Sequence, residues 1–112
     1  MAEAADRKFR KELSAGITSL ALLSVLYHAD EPMYGYQIAK LMEEDDQQSM
    51  PLIKHGALYP VLRSLEGNGL LKSRVEPSVS GPPRRYYGIT DKGREAFRRW
   101  MEIWKRTSRL ID

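Results

Sequence analysis

The chain has 112 residues, of which 42% are hydrophobic and 29% charged, and these proportions are typical of one globular domain. No apolar run is long enough to span a bilayer, residues 1–10 contain no signal-peptide region and cysteine is absent, so we expect a cytoplasmic protein without membrane segments, disulfides or thiolate zinc sites. The net charge is only +3, but residues 84–112 hold nine basic against four acidic side chains, a surface that is either simply solvated or suited to a polyanion.

The first predicted helix covers residues 6–27 and is almost uniformly apolar from Leu20 onward. A helix that is apolar on all sides has to be buried on all sides, and one small domain rarely achieves this alone. We therefore expect a second copy of the chain to cover it. A second, shorter helix follows, with Tyr36 and Lys40 on its outer face. Its inner face has helical spacing and comprises Tyr34, Ile38, Leu41 and Met42.

After a polar connector at residues 43–51, a third helix is predicted to begin near residues 54–56 and to end at Gly67-Asn68-Gly69, where glycine can adopt the left-handed C-cap conformation. Its core face comprises Leu58, Val61, Leu62 and Leu65. At about 100° per residue, Gly56, Tyr59, Pro60 and Arg63 point away from that core. The ring of Pro60 crowds the carbonyl of Gly56, and this pairing predicts a low surface that permits close approach.

Two alternating segments at residues 71–76 and 84–89 predict a strand pair, and the loop at 77–83 is long enough to project as a wing. Thr90-Asp91 then caps a final helix that extends to Ile111. This order of elements predicts an α+β, mainly α, winged helix-turn-helix within a single domain of residues 1–112. The winged helix-turn-helix occupies about 11–90 and the C-terminal helix about 91–111.

Catalysis has little support in the sequence. The two histidines, His28 and His55, lack any spacing with carboxylates that a metal requires, and there is no glycine-rich phosphate loop. We therefore predict that the protein is not an enzyme and has no catalytic residues, metal site or cofactor.

Reading of DNA requires hydrogen-bonding groups at the start of a helix that fits the major groove, together with contacts to phosphates. Groups of this kind occur on the third helix, on the second helix and at the wing: Lys54, His55, Tyr59 and Arg63, then Tyr36 and Lys40, then Arg84 and Arg85. Each of these residues taken alone is equally well explained as a solvated side chain. Together they fall where the predicted order of elements requires them.

The final helix carries an apolar stripe with two interpretations. Phe97, Trp100, Met101 and Trp104 lie on one face, with most of the basic residues elsewhere. Aromatic stripes at helical spacing usually pack, either within the chain or against a partner helix. Alternatively, the tryptophans of two copies form a slot for a flat, apolar ligand across a dimer axis.

Three segments resemble the signatures of the PadR family of transcriptional regulators, in matching order and spacing. They are Tyr34-Gly35-Tyr36-Gln37-Ile38, residues 56–62 with Leu65-Glu66 and Gly69-Leu70, and residues 81–87 with Ile89-Thr90 and Gly93. The resemblance implies a homodimeric winged-helix repressor of operator DNA, with the first and last helices as dimerisation helices. A single C-terminal helix resembles the short subfamily, of which some members bind planar hydrophobic compounds in a pore flanked by tryptophans. Trp100 or Trp104 would take that part here.

The chain departs from the family pattern at two places on the third helix. Family members commonly carry a hydroxyl residue at the position of Ala57. They often carry a small polar residue at the position of Lys54 or His55. We therefore expect Ala57 and the Lys54-His55 pair to give this chain its own base preference. The alternative hypothesis is a winged-helix module for protein association, whose basic face meets an acidic partner without specific DNA binding.

Overall fold

The computed structural model describes residues 2–44 and 55–112. Within these residues the chain forms four α-helices and a small sheet of three strands. In chain order they are α1 (Ala2–His28), β1 (Met33–Tyr34), α2 (Gly35–Glu44), α3 (His55–Gly67), β2 (Leu71–Glu76), β3 (Arg84–Ile89) and α4 (Asp91–Ile111). The predicted α+β, mainly helical, winged helix-turn-helix is confirmed.

The sheet is antiparallel, with β3 between β1 and β2. β2 and β3 form a hairpin whose register runs from Leu71 opposite Ile89 to Glu76 opposite Arg84. Residues 77–83 close this hairpin, and together the two strands and their loop are called the wing below. Gly81 in the loop has a φ of +111°, a conformation that glycine adopts without strain.

The core lies where α1, α2 and α3 meet the sheet and the first half of α4. Leu22, Leu23, Ile38 and Leu62 are completely buried at its centre. Tyr87 from β3 and Phe97 from α4 close it on two sides, at 4% and 7% exposure. Because every helix contributes to this one core, the outward faces of α2 and α3 are held in a defined position relative to the wing.

A short polar connection fixes the end of α3 against the start of α4. Gly69, with a φ of +79°, follows α3 as predicted, and the backbone N–H of Leu70 donates to the carbonyl of Leu65 at 2.9 Å. The Thr90 hydroxyl donates to the carbonyl of Gly69 at 2.7 Å and accepts the N–H of Gly93 at 3.0 Å. The predicted cap at Thr90 is therefore present and also joins the two helices.

Three details differ from the sequence prediction. Tyr34 lies in β1 rather than on the inner face of α2, because its backbone pairs with Tyr86 of β3. Leu41 is 44% exposed, whereas Ile38 and Ala39 of the same helix are buried. α1 begins at Ala2 rather than at residue 6. Most of the predicted connector at 43–51 lies outside the described residues.

Candidate nucleic-acid interface

Helix α3 presents polar side chains on the face opposite to the core. Leu58, Leu62 and Leu65 are 3%, 0% and 4% exposed, and intervening positions point outward because a helix turns by about 100° per residue. Tyr59 is accordingly 49% exposed, and Arg63 is exposed one turn later. α3 thus offers a phenol and a guanidinium on one outward face, and both groups can bind base edges or phosphates.

An open groove of about 660 Å³ lies between this face of α3, the start of α2 and the wing. Its walls are formed by Tyr34, Gly35, Tyr36, Tyr59, Arg63, Glu66, Pro83, Arg84, Arg85 and Tyr87. Three arginines from two separate segments therefore line one concave surface. Such an arrangement concentrates positive potential at the place where a polyanion would bind.

Gly35 allows Tyr59 to approach the start of α2. A Cβ atom at position 35 would lie 2.6 Å from Cε1 and 2.9 Å from the hydroxyl oxygen of Tyr59, which is closer than side chains pack. The tyrosine ring therefore rests where any other residue at position 35 would stand. Gly35 thus leaves room for the Tyr59 side chain of α3 beside the start of α2.

The two wing arginines, predicted as a pair, have different surroundings. The Arg84 guanidinium lies 4.5 Å above the ring of Tyr34 in a cation–π contact. Arg85 also lines the groove, but its side chain has a different partner. Its Nη1 donates a hydrogen bond to Oγ of Ser73 at 2.9 Å. That serine in turn donates to Oε2 of Glu66 on α3 at 2.6 Å.

The phenol of Tyr87 belongs to the same electrostatic environment. Burial raises its pKa above the ordinary value, the positive charges of Arg85 and Arg63 oppose this shift, and Glu66 and Tyr59 add to it. An ordinary tyrosine is already protonated at neutral pH, and the upward shift in pKa extends that neutral state to higher pH. Tyr87 therefore contributes a neutral polar group to the groove.

The structure brings five of the predicted DNA-contacting residues together in this groove: Tyr36, Tyr59, Arg63, Arg84 and Arg85. Lys40, Gly56 and Pro60 are exposed and Ala57 is half-buried, but none of these four lines the groove. A Cβ at Gly56 would have no neighbour within 4 Å among the described residues, so their packing does not account for a glycine at this position. Lys54 lies outside the described residues, and of His55 only the backbone is described.

Sequence reasoning missed Glu66 and Ser73 as members of the site. Glu66 follows Arg63 by three residues and Tyr59 by seven, so helical spacing alone would have placed it on the same face. Ser73 had no comparable signal. Its position depends on the register of the wing, which sets it opposite Tyr87 and two residues from Arg85 along β3.

A second, apolar groove lies between α1 and α4 and has a volume of about 300 Å³. Its walls include Leu13, Ile17, Leu20, Trp100, Ile103 and Trp104. The predicted aromatic stripe is thus divided: Phe97 packs in the core against Tyr27, with ring centroids 4.5 Å apart. Trp100 and Met101 are both half-buried, and Trp104 is 42% exposed at the edge of the groove.

Comparison with known families agrees with this architecture. The sequence profile of the transcriptional regulator PadR-like family matches residues 22–99, which include α2, α3, the wing and the start of α4. The chain belongs to this family. It is accordingly a PadR-like transcriptional regulator rather than an enzyme. A comparison with curated protein sequences found no match.

Solved structures of PadR-like and other transcriptional regulators have the same fold. A PadR family transcriptional regulator from Eggerthella lenta is 30% identical, with a TM-score of 0.73 over 99% of this chain and 96% of its own. A transcriptional regulator from Clostridium thermocellum is 30% identical, with a TM-score of 0.74 over 89% of this chain and 91% of its own. A PadR-like regulator from Bacillus cereus is 25% identical, with a TM-score of 0.69 over 89% and 92%.

In the part of the chain that the structure describes, no helix is long and apolar enough to cross a membrane. Within the same ranges, no three His, Asp or Glu side chains come together in a way that would hold a metal ion.

Proposed function

We propose that this chain is a homodimeric, DNA-binding transcriptional repressor that acts in the cytoplasm on a roughly palindromic operator, with half-sites about one helical turn apart. The observation that carries the proposal is the groove in which Tyr59 and Arg63 of α3 lie beside Arg84 and Arg85 of the wing. In this proposal α3 enters the major groove, and the wing arginines contact phosphates or the adjacent minor groove.

The other predicted contacts complete this arrangement. Tyr36 and Lys40 are both exposed on α2 and would hold the DNA backbone. The exposed surface of Gly56 and Pro60 would permit close approach of the duplex, whereas Lys54, His55 and Ala57 would set the base preference. These assignments are part of the proposal and rest on the position of each residue in the helix-turn-helix.

The direct test is a titration of the protein against a duplex from its own promoter at two salt concentrations. A shuffled duplex of the same length and composition serves as the control. We expect preference for the promoter duplex and a steep fall in affinity with salt, because phosphate contacts release counterions from DNA. If neither duplex is bound preferentially, the proposal fails, and the winged-helix module for protein association becomes the better interpretation.

A pair of single substitutions distinguishes the contribution of the groove to DNA affinity from that of positive charge elsewhere on the surface. Arg63→Ala removes a side chain that lines the groove, whereas Lys92→Ala removes the same charge beside Gly69, beyond the far end of α3. We expect Arg63→Ala to cost about 1–3 kcal/mol of specific binding, roughly 5- to 150-fold in affinity. Lys92→Ala should have little effect. Equal losses in the two variants would contradict the assignment of α3 as the reading helix.

Dimerisation through the first and last helices is supported by apolar side chains that α1 and α4 leave exposed. These are Phe9, Leu13, Ile103, Trp104, Leu110 and Ile111. We propose that a second copy covers them, so that the C-terminal helix at about 91–111 serves dimerisation and the winged helix-turn-helix at about 11–90 serves DNA binding, within one domain of 1–112. Exposed apolar patches of this kind are typical of protein interfaces.

Sedimentation equilibrium tests the dimer, with an expected mass of about twice the 12.9 kDa of one chain. Phe9→Lys combined with Leu13→Lys should shift the mass toward the monomer, because lysine is expensive to bury. Val79→Lys is a suitable control, since Val79 is fully exposed on the wing loop. A wild-type chain that is monomeric at concentrations which saturate the operator would refute this part of the proposal.

We further propose that a planar, hydrophobic small molecule binds the groove between α1 and α4 and releases the operator. Trp100 and Trp104 border this groove, and its walls come from the two helices that we assign to the dimer. The test is tryptophan fluorescence with a panel of flat aromatic compounds. Quenching that is lost in Trp100→Phe or Trp104→Phe, together with release of DNA, would support an effector site. Absence of quenching throughout the panel would leave packing as the role of both tryptophans.

A further inference from the structure

Glu66, Ser73 and Arg85 form a chain of hydrogen bonds that crosses from α3 to the wing. Ser73 donates to Oε2 of Glu66 at 2.6 Å, and Nη1 of Arg85 donates to the same serine oxygen at 2.9 Å. A hydroxyl has one proton and two lone pairs, so it can serve as donor to the carboxylate and acceptor for the guanidinium at once. The serine therefore joins two groups of opposite charge in a single connected network.

The register of the hairpin and the packing of α3 against it bring these three side chains together. Ser73 and Tyr87 are directly opposed in the hairpin, and Arg85 precedes Tyr87 by two residues on the same face of β3. That face points toward α3, since Tyr87 is buried on it. Glu66 lies one helical turn beyond Arg63 on α3, so its carboxylate reaches Ser73 while Arg63 lines the groove.

We infer that Glu66 and Ser73 are positioning residues, which hold Arg85 in the groove in the orientation that binds a DNA backbone phosphate. The inference rests on the proposed function. An exposed arginine loses substantial side-chain entropy when a ligand immobilises it, and a partner that already restricts the side chain reduces that loss. The guanidinium has five N–H donors, and the bond to Ser73 uses one of them, which leaves donors for phosphate oxygens.

Glu66 provides a way to separate positioning from charge. By charge alone, a carboxylate in the wall of this groove weakens the binding of a polyanion, so any variant that removes the charge would bind DNA more tightly. If Glu66 acts through Ser73 and Arg85, it contributes to DNA affinity through the oxygen that accepts the hydrogen bond from Ser73. Glu66→Gln keeps an acceptor and Glu66→Ala does not, whereas both lose the charge. We expect the alanine variant to bind more weakly than the glutamine variant.

The experiment measures the affinity for the promoter duplex over a series of salt concentrations. Arg85→Ala should reduce the slope of log affinity against log salt by about one, the loss of one phosphate contact. Ser73→Ala should weaken binding by about three- to tenfold, within the range for leaving one long side chain mobile. Ser73→Thr, which keeps the hydroxyl and suits a strand, should restore binding.

The decisive variant combines Ser73→Ala with Arg85→Ala. Because the serine is inferred to act only through Arg85, the double variant should bind no more weakly than Arg85→Ala alone. An equal loss from Ser73→Ala in both backgrounds would overturn the inference and assign Ser73 a general structural role. The free energy of unfolding of each variant is measured alongside, and the comparison of Glu66→Ala with Glu66→Gln carries the test if Ser73→Ala does not fold.

DNA binding by the wild type and by the variants distinguishes failure of the inference from failure of the proposed function. If the wild type shows no preference for the promoter duplex, the proposed function fails and the inference with it. If the wild type binds and Arg85→Ala weakens binding, but Ser73→Ala and Glu66→Ala match the wild type, only the inference is overturned. If Glu66→Ala and Glu66→Gln both bind more tightly than the wild type to the same extent, Glu66 acts by charge and the inference is again overturned.

Discussion

Among the glycines of this chain, Gly93 is the one at which an added methyl group should destabilise the fold most. It lies in the first turn of α4, where an added Cβ would overlap the carbonyl oxygen of Leu70 and lie 2.8 Å from Cγ1 of Ile89. That carbonyl also accepts the backbone N–H of Thr90 at 3.1 Å. The obstacle is therefore a fixed backbone segment rather than a mobile side chain, and α4 itself would have to move.

The magnitude for Gly93→Ala follows from two opposing effects. Overpacking of a tight contact costs about 1–3 kcal/mol and occasionally more, and a clash with backbone belongs at the upper end. Alanine recovers about 1 kcal/mol through its higher helix propensity. We therefore expect a net loss of about 2 kcal/mol in the free energy of unfolding. For a chain of this length, the melting temperature should fall by roughly 8 °C.

Urea titration followed by far-UV circular dichroism, at one fixed protein concentration, measures this loss. Gly67→Ala is the matched control: Gly67 is also helical, but a Cβ there would have nothing within 4 Å in the described part of the chain. It should leave stability unchanged or raise it by up to about 1 kcal/mol. A Gly93→Ala variant as stable as the wild type would refute the reasoning, as would equal losses in both variants.

Three further predictions concern the core, the cap and pH. Leu62→Ala should cost about 2–5 kcal/mol of unfolding free energy, because Leu62 is completely buried, and a loss under 1 kcal/mol would contradict its central position. Thr90→Ala should cost about 1–2 kcal/mol while Thr90→Ser costs much less, since serine keeps the hydroxyl that caps α4; equal losses in thermal melts would exclude capping. Burial raises the pKa of Tyr87 above its ordinary value of 10.0, so its contribution to stability is complete below about pH 10 and is lost as pH rises through the folded pKa. Urea titrations between about pH 8 and pH 11 should show a smaller decline for Tyr87→Phe, and identical declines would contradict the assignment.

Most of the fold was predictable because local signals agreed with one another. The leucine spacing of α3, the glycines after it, the alternation in β2 and β3 and the cap at Thr90 each depend on short-range geometry. The prediction for Tyr34 is wrong for the same reason: its spacing with Ile38 fits a helix, but its backbone pairs with Tyr86 in the sheet. Leu41 fits the apolar period equally well, yet no other element in the described structure covers it.

The candidate site was predictable to a smaller extent. Tyr59 and Arg63 could be identified because a helix with a known core face has a known outer face. The sequence does not show that the two wing arginines have different partners. Arg84 contacts Tyr34 and Arg85 contacts Ser73 because of where those residues lie relative to β3. Helical spacing places Glu66 on the outer face of α3. No such local spacing identifies Ser73, because the register of two strands decides which side chains are its neighbours.

The order of the elements, the apolar faces of the helices and the family resemblance can all be derived from the amino-acid sequence, because each depends on residues near to one another in the chain. Three features become visible only in the folded chain: Gly35 makes room for Tyr59, the wing arginines have separate partners, and Glu66 reaches Arg85 through Ser73. These contacts join segments that are distant in sequence. Their existence depends on how the helices pack against the sheet, which no local pattern specifies.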